Sequence, residues 1–254
     1  MKMKLSIGTV FYVLLFVFTS SIALGQEATT PKKWNYLGEL YLMFPDMKGE
    51  IGIGNLPDLE LDAESNDILG QLKFGAMMYF EANTDKWAIS SDLLYMKLGM
   101  GASDHKTITS GEATVEELAW ELAGLRKINP WLDLGVGARL VYLYTGLELQ
   151  TINNQTKSAS ISETWVDPVL IMRSQNYFNK KLFYQFRGDI GGFGLGSDFS
   201  WQIQANIGYR FSKLFQSSIG YRYLAVDYDK GEGSDRFLYD VDTFGPVVRL
   251  GFNF

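Results

Sequence analysis

From residue 34 to the end of the chain, apolar and polar side chains alternate with a period of two through one segment after another. The clearest case lies between about 131 and 149. There Leu132, Leu134, Val136, Ala138, Leu140 and Tyr142 alternate with Asp133, Gly135, Gly137, Arg139 and Val141. Successive side chains of a strand point to opposite faces, so this pattern predicts a strand with one greasy and one polar side. The last residues repeat it, with Val248, Leu250, Phe252 and Phe254 set against Arg249, Gly251 and Asn253. Ten such strands are expected. They cover about 34–44, 70–82, 86–101, a fourth ending near 127, 131–149, 163–178, a seventh ending near 190, an eighth ending near 211, a ninth starting near 215, and a tenth ending at 254.

The connections alternate in kind. Segments 83–86, 129–130, 179–180 and 212–213 have turn composition, and most of the others are longer and polar. Residues 45–69 read as a first outer loop rich in acids, with alternating Ile51, Ile53, Leu59 and Leu61 and a short helix from Ser65. Whether this loop plugs or caps the barrel is left open. Loss of one weak hairpin would reduce the count to eight strands, and a hairpin within 49–61 would raise it to twelve. Pro168 and Pro246 fall inside predicted strands and cannot donate to a ladder, so bulges, or strand segments above the membrane, are expected there. Aromatic residues crowd the short-turn ends (Tyr36, Phe80, Trp87, Tyr184, Tyr209, Phe215, Phe252), which suits the headgroup level of a bilayer.

These patterns fit an all-β, closed antiparallel transmembrane β-barrel. A terminal aromatic strand is an aggregation hazard unless it pairs, and closure onto the first strand supplies that partner. An even strand count places both termini on one side, the periplasmic one.

The N-terminus changes the picture further. Lys2 and Lys4 precede an apolar run from Val10 to Phe18 and small residues Ala23 and Gly25, the form of a secretory signal peptide. The domain reading is therefore a signal peptide over 1–25 and a barrel over 26–254. Removing the signal leaves 21 basic residues against 29 acidic ones, a net charge of −8. That balance argues against nucleic acid as a partner. The absence of cysteine removes disulfides and thiol chemistry.

Several motifs carry a resemblance. Trp165-Val-Asp-Pro168, Gly188-Asp-Ile-Gly-Gly-Phe-Gly194, Trp201-Gln202 and Gly220-Tyr-Arg-Tyr-Leu-Ala-Val-Asp-Tyr228 resemble a family of bacterial outer-membrane barrel proteins described as porin-like or OmpW/OmpA-like. The segment ending at Pro57 and Asp67-Ile-Leu69 are similar to that family too. The resemblance implies a fold and a location and lends no catalytic residues. The ending at Phe254 resembles the C-terminal signature of outer-membrane barrels. It implies recognition by the barrel-assembly machinery, with outer-membrane lipid and lipopolysaccharide as the surroundings.

The polar face collects the candidate lumen-lining residues: Glu39, Asp92, Glu121, Asp133, Arg139, Asp167, Arg173, Arg187, Asp189, Arg210, Arg222 and Arg249, with Lys73, Glu81 and Glu117 on the same face. They support either a narrow pore for small solutes or a lumen filled by mutually satisfied ion pairs, and small barrels are usually filled. Arg210 and Arg222 suggest an anion cluster or structural pairing. If the last strand closes on the first, Arg249 meets Glu39. A rim-sited hydrolase is the distant third reading; its general base would be His105, which has no convincing nucleophile partner. Asp227-Tyr-Asp229-Lys-Gly231 resembles a calcium loop only faintly, and a solvated loop is the default. No cofactor, no metal and no enzymatic activity are expected.

Overall fold

The computed structural model describes residues 34–254 apart from 56–57, 103–107 and 152–155; the signal-peptide reading and His105 lie outside the described residues. Twelve strands and one helix follow in order: β1 (Asn35–Met43), β2 (Asp46–Ile53), β3 (Leu59–Ala63), α1 (Ser65–Gly70), β4 (Leu72–Asn83), β5 (Trp87–Ala102), β6 (Ile108–Asn129), β7 (Leu132–Thr151), β8 (Thr156–Tyr177), β9 (Leu182–Gly191), β10 (Phe199–Arg210), β11 (Phe215–Lys230) and β12 (Phe237–Asn253). From β4 to β12 each strand pairs antiparallel with the next. β1 joins β4 on one edge and β12 on the other, which closes the ring.

The ring holds ten strands at the β1 level because β2 and β3 extend the wall without widening it. β1 and β2 lie in one continuous register along β12: Met43 is opposite Val247, and Asp46 is opposite Phe244. The break between them is local. Phe44 donates its N–H to the Pro246 carbonyl at 3.0 Å, but Pro246 has no N–H to return. A Cβ at neighbouring Gly245 would stand 2.0 Å from the Phe44 carbonyl oxygen, so only glycine admits this close crossing. On the other edge β3 pairs with β2 and β4 pairs with β1, with α1 between them. The 45–69 segment is therefore mostly wall. The hairpin of the twelve-strand alternative forms, yet the ring stays at ten.

The bulge expectation is corrected at both prolines. The ladders run through Pro168 and Pro246 without a register shift. Pro168 aims its carbonyl at Gly192 N–H, 3.3 Å away. Its missing donor thus falls on the edge where β9 has ended, and no β7–β8 bond is lost. Irregularities occur instead at 72/74, 108/110 and 127/129.

One face of the wall is apolar and exposed: Leu42, Val136 and Ile219 each show more than 60% of their surface. A continuous apolar exterior of this kind is stable only in lipid. No helix among the described residues is long and apolar enough to cross a membrane, so the strands make the crossing. Two aromatic belts mark its limits. The first, at the short turns, includes stacked Tyr36 and Phe254, and Phe211 against Phe215. The second was not foreseen. It includes Tyr95, Trp120 and the stacked series Trp201–Tyr223–Phe244. Trp87 and Tyr95 on β5, like Tyr209 and Trp201 on β10, stand eight residues apart. At about 3.4 Å per residue and ~40° of tilt the belts are roughly 21 Å apart, close to the apolar band of an outer-membrane barrel.

Candidate functional site

The inward residues sort by height. Nearest the short turns and through the middle, the lumen is ionic. Beyond it, the lumen becomes apolar.

Three linked groups build the ionic part. In the first, Arg173 of β8 pairs with Asp133 of β7 at 2.8 Å and with Glu81 of β4 across the ring. Tyr79 donates its hydroxyl to Glu81 at 2.6 Å and accepts from Arg173 at 3.1 Å. In the second, Arg139 and Arg187 are both held by Glu121 and Asp189, with Arg139–Glu121 at 2.8 Å and Arg187–Asp189 at 3.1 Å. In the third, Arg222 donates to Gln202 at 2.9 Å and to Tyr41 at 3.2 Å, lies 3.6 Å from Asp92, and Tyr41 donates to Asp92 at 2.6 Å. Gln202 also donates to Asp189 at 3.1 Å, which joins the third group to the second.

Arg249 pairs with Glu39 across the β12–β1 seam at 2.8 Å, and its guanidinium lies 4.5 Å from the Tyr41 ring centroid and 5.6 Å from that of Tyr79. Five guanidinium groups thus meet six carboxylates. The near balance matters because isolated buried charge costs several kcal/mol, whereas a hydrogen-bonded network offsets its desolvation. Lumen cavities lined by Asp92, Arg173, Arg187 and Arg249, and by Met77, Met96, Glu117 and Arg222, each amount to about 20 Å³. That is room for about one water and no larger solute.

All twelve candidate residues face inward. Eight belong to the three ionic groups, and Glu39 and Arg249 pair at the seam. The remaining one of each sign stands apart. Arg210 lies at the short-turn rim, bonded to Gln216 at 3.3 Å and 5.1 Å from the Tyr177 ring centroid. It does not meet Arg222, so the two form no anion cluster. Asp167 is fully buried opposite Arg139 in the β7–β8 ladder, but Arg139 turns to Glu121 and Asp189. The Asp167 carboxylate accepts from Ser197 N–H at 2.6 Å, Ser197 Oγ at 2.8 Å and Ser200 Oγ at 3.2 Å, which pins the loop after β9. The uncharged members Tyr41, Tyr79, Gln202 and Gln204, the last accepting from Arg249 at 3.3 Å, were missed by sequence reasoning. Their inward phase was readable, but the arginines they meet lie on strands remote in sequence or order.

Above the charges, Val141, Leu143, Trp165, Leu224, Val226, Tyr228, Phe237, Tyr239 and Val241 pack into one apolar cluster. Ile68 of α1 enters a second with Leu94, Met96 and Leu98, so the helix is anchored to the inner wall. Among the described residues no group of three or more His, Cys, Asp and Glu side chains is arranged to hold a metal. In the segment read as faintly calcium-like, Asp229 is engaged by Arg236 at 3.1 Å.

The wall is low at the β9–β10 hairpin. The β9–β10 hairpin ends at the rung Val169–Gly191–Ser200–Val226. Beyond it, β8 continues to Thr156 and β11 to Lys230 without a strand between them. Gly192, Phe193 and Gly194 turn the hairpin with three consecutive left-handed residues (φ 85°, 55° and 73°). The glycine run is thus a tight turn, in a conformation that is costly for Phe193.

No protein-family model matches the chain, and no curated protein matches it in sequence. Among solved structures the chain is similar to the outer-membrane protease OmpT of Escherichia coli, at 9% identity over 90% of this chain and 99% of that one, with a TM-score of 0.49. It is also similar to the toluene transporter TbuX of Ralstonia pickettii, at 8% identity over 88% and 90% of the two chains (TM-score 0.38). A third is the attachment invasion locus protein Ail of Yersinia pestis, at 10% identity over 87% and 98% (TM-score 0.37).

Proposed function

We propose that this protein is an integral barrel of the bacterial outer membrane whose lumen is closed by side chains, a structural or surface-interaction barrel and not a passive pore. The observation that carries the reading is the arginine–carboxylate network. It spans from β1 and β4 to β8, β11 and β12, and the void among Asp92, Arg173, Arg187 and Arg249 at its centre is water-sized. A diffusing solute would have to break several buried ion pairs at once, at a cost of several kcal/mol each. The apolar exterior, the two aromatic belts and the signal-peptide pattern support the compartment. The short turns and both termini belong to the periplasmic side in this reading. Lipopolysaccharide surrounds the outer belt, the terminal strand is read by the assembly machinery, and kinship with OmpW/OmpA-like barrels belongs to the same proposal. No enzymatic role is assigned.

A vesicle-swelling assay tests it. Proteoliposomes holding the refolded barrel and diluted into isotonic sugars of graded size are expected to swell no faster than empty vesicles. Swelling that falls off with sugar size would instead establish a narrow pore for small solutes.

A further inference from the structure

The cavity at the centre of the ionic lumen is charged unevenly. Three guanidinium groups line it, those of Arg173, Arg187 and Arg249, against the single carboxylate of Asp92. The acids that balance the three arginines do not line it. Arg173 is held by Glu81 and Asp133, Arg187 by Glu121 and Asp189, and Arg249 by Glu39. Asp92 is engaged already: it accepts from Tyr41 at 2.6 Å and lies 3.6 Å from Arg222, which is outside the lining. The wall of the cavity is therefore net positive, although the network as a whole is nearly balanced.

Hydrogen-bonding capacity is uneven in the same sense. The amide oxygen of Gln204 accepts from Arg249 at 3.3 Å, that of Asn206 from Gln204 at 3.3 Å, and that of Gln185 from Asn206 at 3.4 Å. All three amides line the cavity, so its amide acceptors are occupied. Donors are left over. Each amide nitrogen carries two N–H groups, and Nε of Arg249, a residue only 3% exposed, is buried without a hydrogen-bond partner. A water molecule brings two hydrogens that need acceptors, which this wall lacks. A halide brings none and accepts from every side.

We infer that this cavity is a binding site for one monatomic anion, chloride, held by Arg173, Arg187 and Arg249 and by the amides of Gln185, Gln204 and Asn206. Its volume of about 20 Å³ admits a chloride, which is about the size of a water molecule, and excludes phosphate, sulfate and organic anions. The ligands come from β8, β9, β10 and β12, so the ion is a shared partner for strands that do not all pair. It offsets the mutual repulsion of three guanidinium groups in a site of low dielectric. The site goes beyond the closed-lumen reading and does not rest on it, since neither a sealed nor a conducting barrel requires the ion.

The test reads chloride through its linkage to folding, because the unfolded chain has no such site. The barrel in lipid vesicles is unfolded by urea while chloride replaces gluconate at constant ionic strength. The wild-type midpoint is expected to rise with chloride, the folding equilibrium constant gaining up to about tenfold for each tenfold increase in the ion. Ser90→Val fills the cavity from β5 and leaves every ion pair of the lumen in place, so its midpoint should not respond. Glu39→Gln combined with Arg249→Gln removes one guanidinium together with its partner and should weaken chloride binding by about tenfold or more. A wild-type midpoint indifferent to chloride would overturn the site. So would an equal rise in Ser90→Val, which places the ion elsewhere. Crystals of the wild type grown in bromide give a second readout that depends on no variant's folding. An anomalous peak enclosed by the three arginines is expected, and density there without anomalous signal would mean water and overturn the inference.

Discussion

At the scale of single residues, the lumen is decided by which charge has more than one partner. Arg139 serves Glu121 and Asp189 together, and both acids are also held by Arg187. Arg139→Ala therefore leaves two buried carboxylates to one guanidinium. It should destabilise the folded barrel by about 3–5 kcal/mol, read as a lower urea midpoint in refolding into lipid vesicles. Arg210→Ala, at the rim with two weak amide contacts, should shift the same midpoint little. At the outer rim Asp198 makes a separate, pH-dependent contribution. Its hydrogen bond from Lys230, aided by the Asp229 N–H at 3.0 Å, holds its carboxyl below the usual aspartate range. A depressed folded-state pKa means that the contact is fully present above the ordinary aspartate pKa and is lost as pH falls through the lower folded value. Amide exchange at Asp229 should accelerate, relative to its neighbours, only below that ordinary value, and Asp198→Asn should abolish the step.

At the scale of elements, the ten strands of the ring were legible because a period of two survives along each of them. The alternation of Leu132 to Tyr142 on β7, or of Trp201 to Tyr209 on β10, fixes which residues face inward. It does not say which inward residues meet. That depends on the tilt and stagger of strands around the ring, which is why Arg249 could be matched to adjacent Glu39, while the Arg173–Glu81 bridge and the Trp165–Tyr228 stack could not be foreseen. The 45–69 segment was misread for a related reason. Its acids at positions 50, 58, 60 and 62 sit on exposed wall and resemble loop composition, although Met47 and Ile51 pack inward. The helix within it is held mainly by one side chain. Ile68→Ala should cost about 3 kcal/mol of stability by the cavity it leaves among Leu94, Met96 and Leu98, measurable by the same urea titration. At the β1–β2 break, Gly245→Val should be more damaging still, since its side chain would overlap the Phe44 carbonyl. A normal urea midpoint for that variant would show that the crossing is looser than described.

At the scale of the whole molecule, the barrel divides along its axis. Its membrane part is greasy outside and ionic inside; strands of up to 22 residues carry the wall beyond it, where the interior is apolar. The lower half thereby seals the lumen, and the upper half is packed with apolar side chains. The central claim is the seal, and single-channel recording in planar bilayers addresses it most directly. Wild-type protein, inserted and shown to be folded, is expected to give no unitary steps at neutral pH, whereas Glu121→Ala combined with Asp189→Ala, which releases Arg139 and Arg187, should give detectable ones. Reproducible unitary conductance from the wild type under the same conditions would contradict the account.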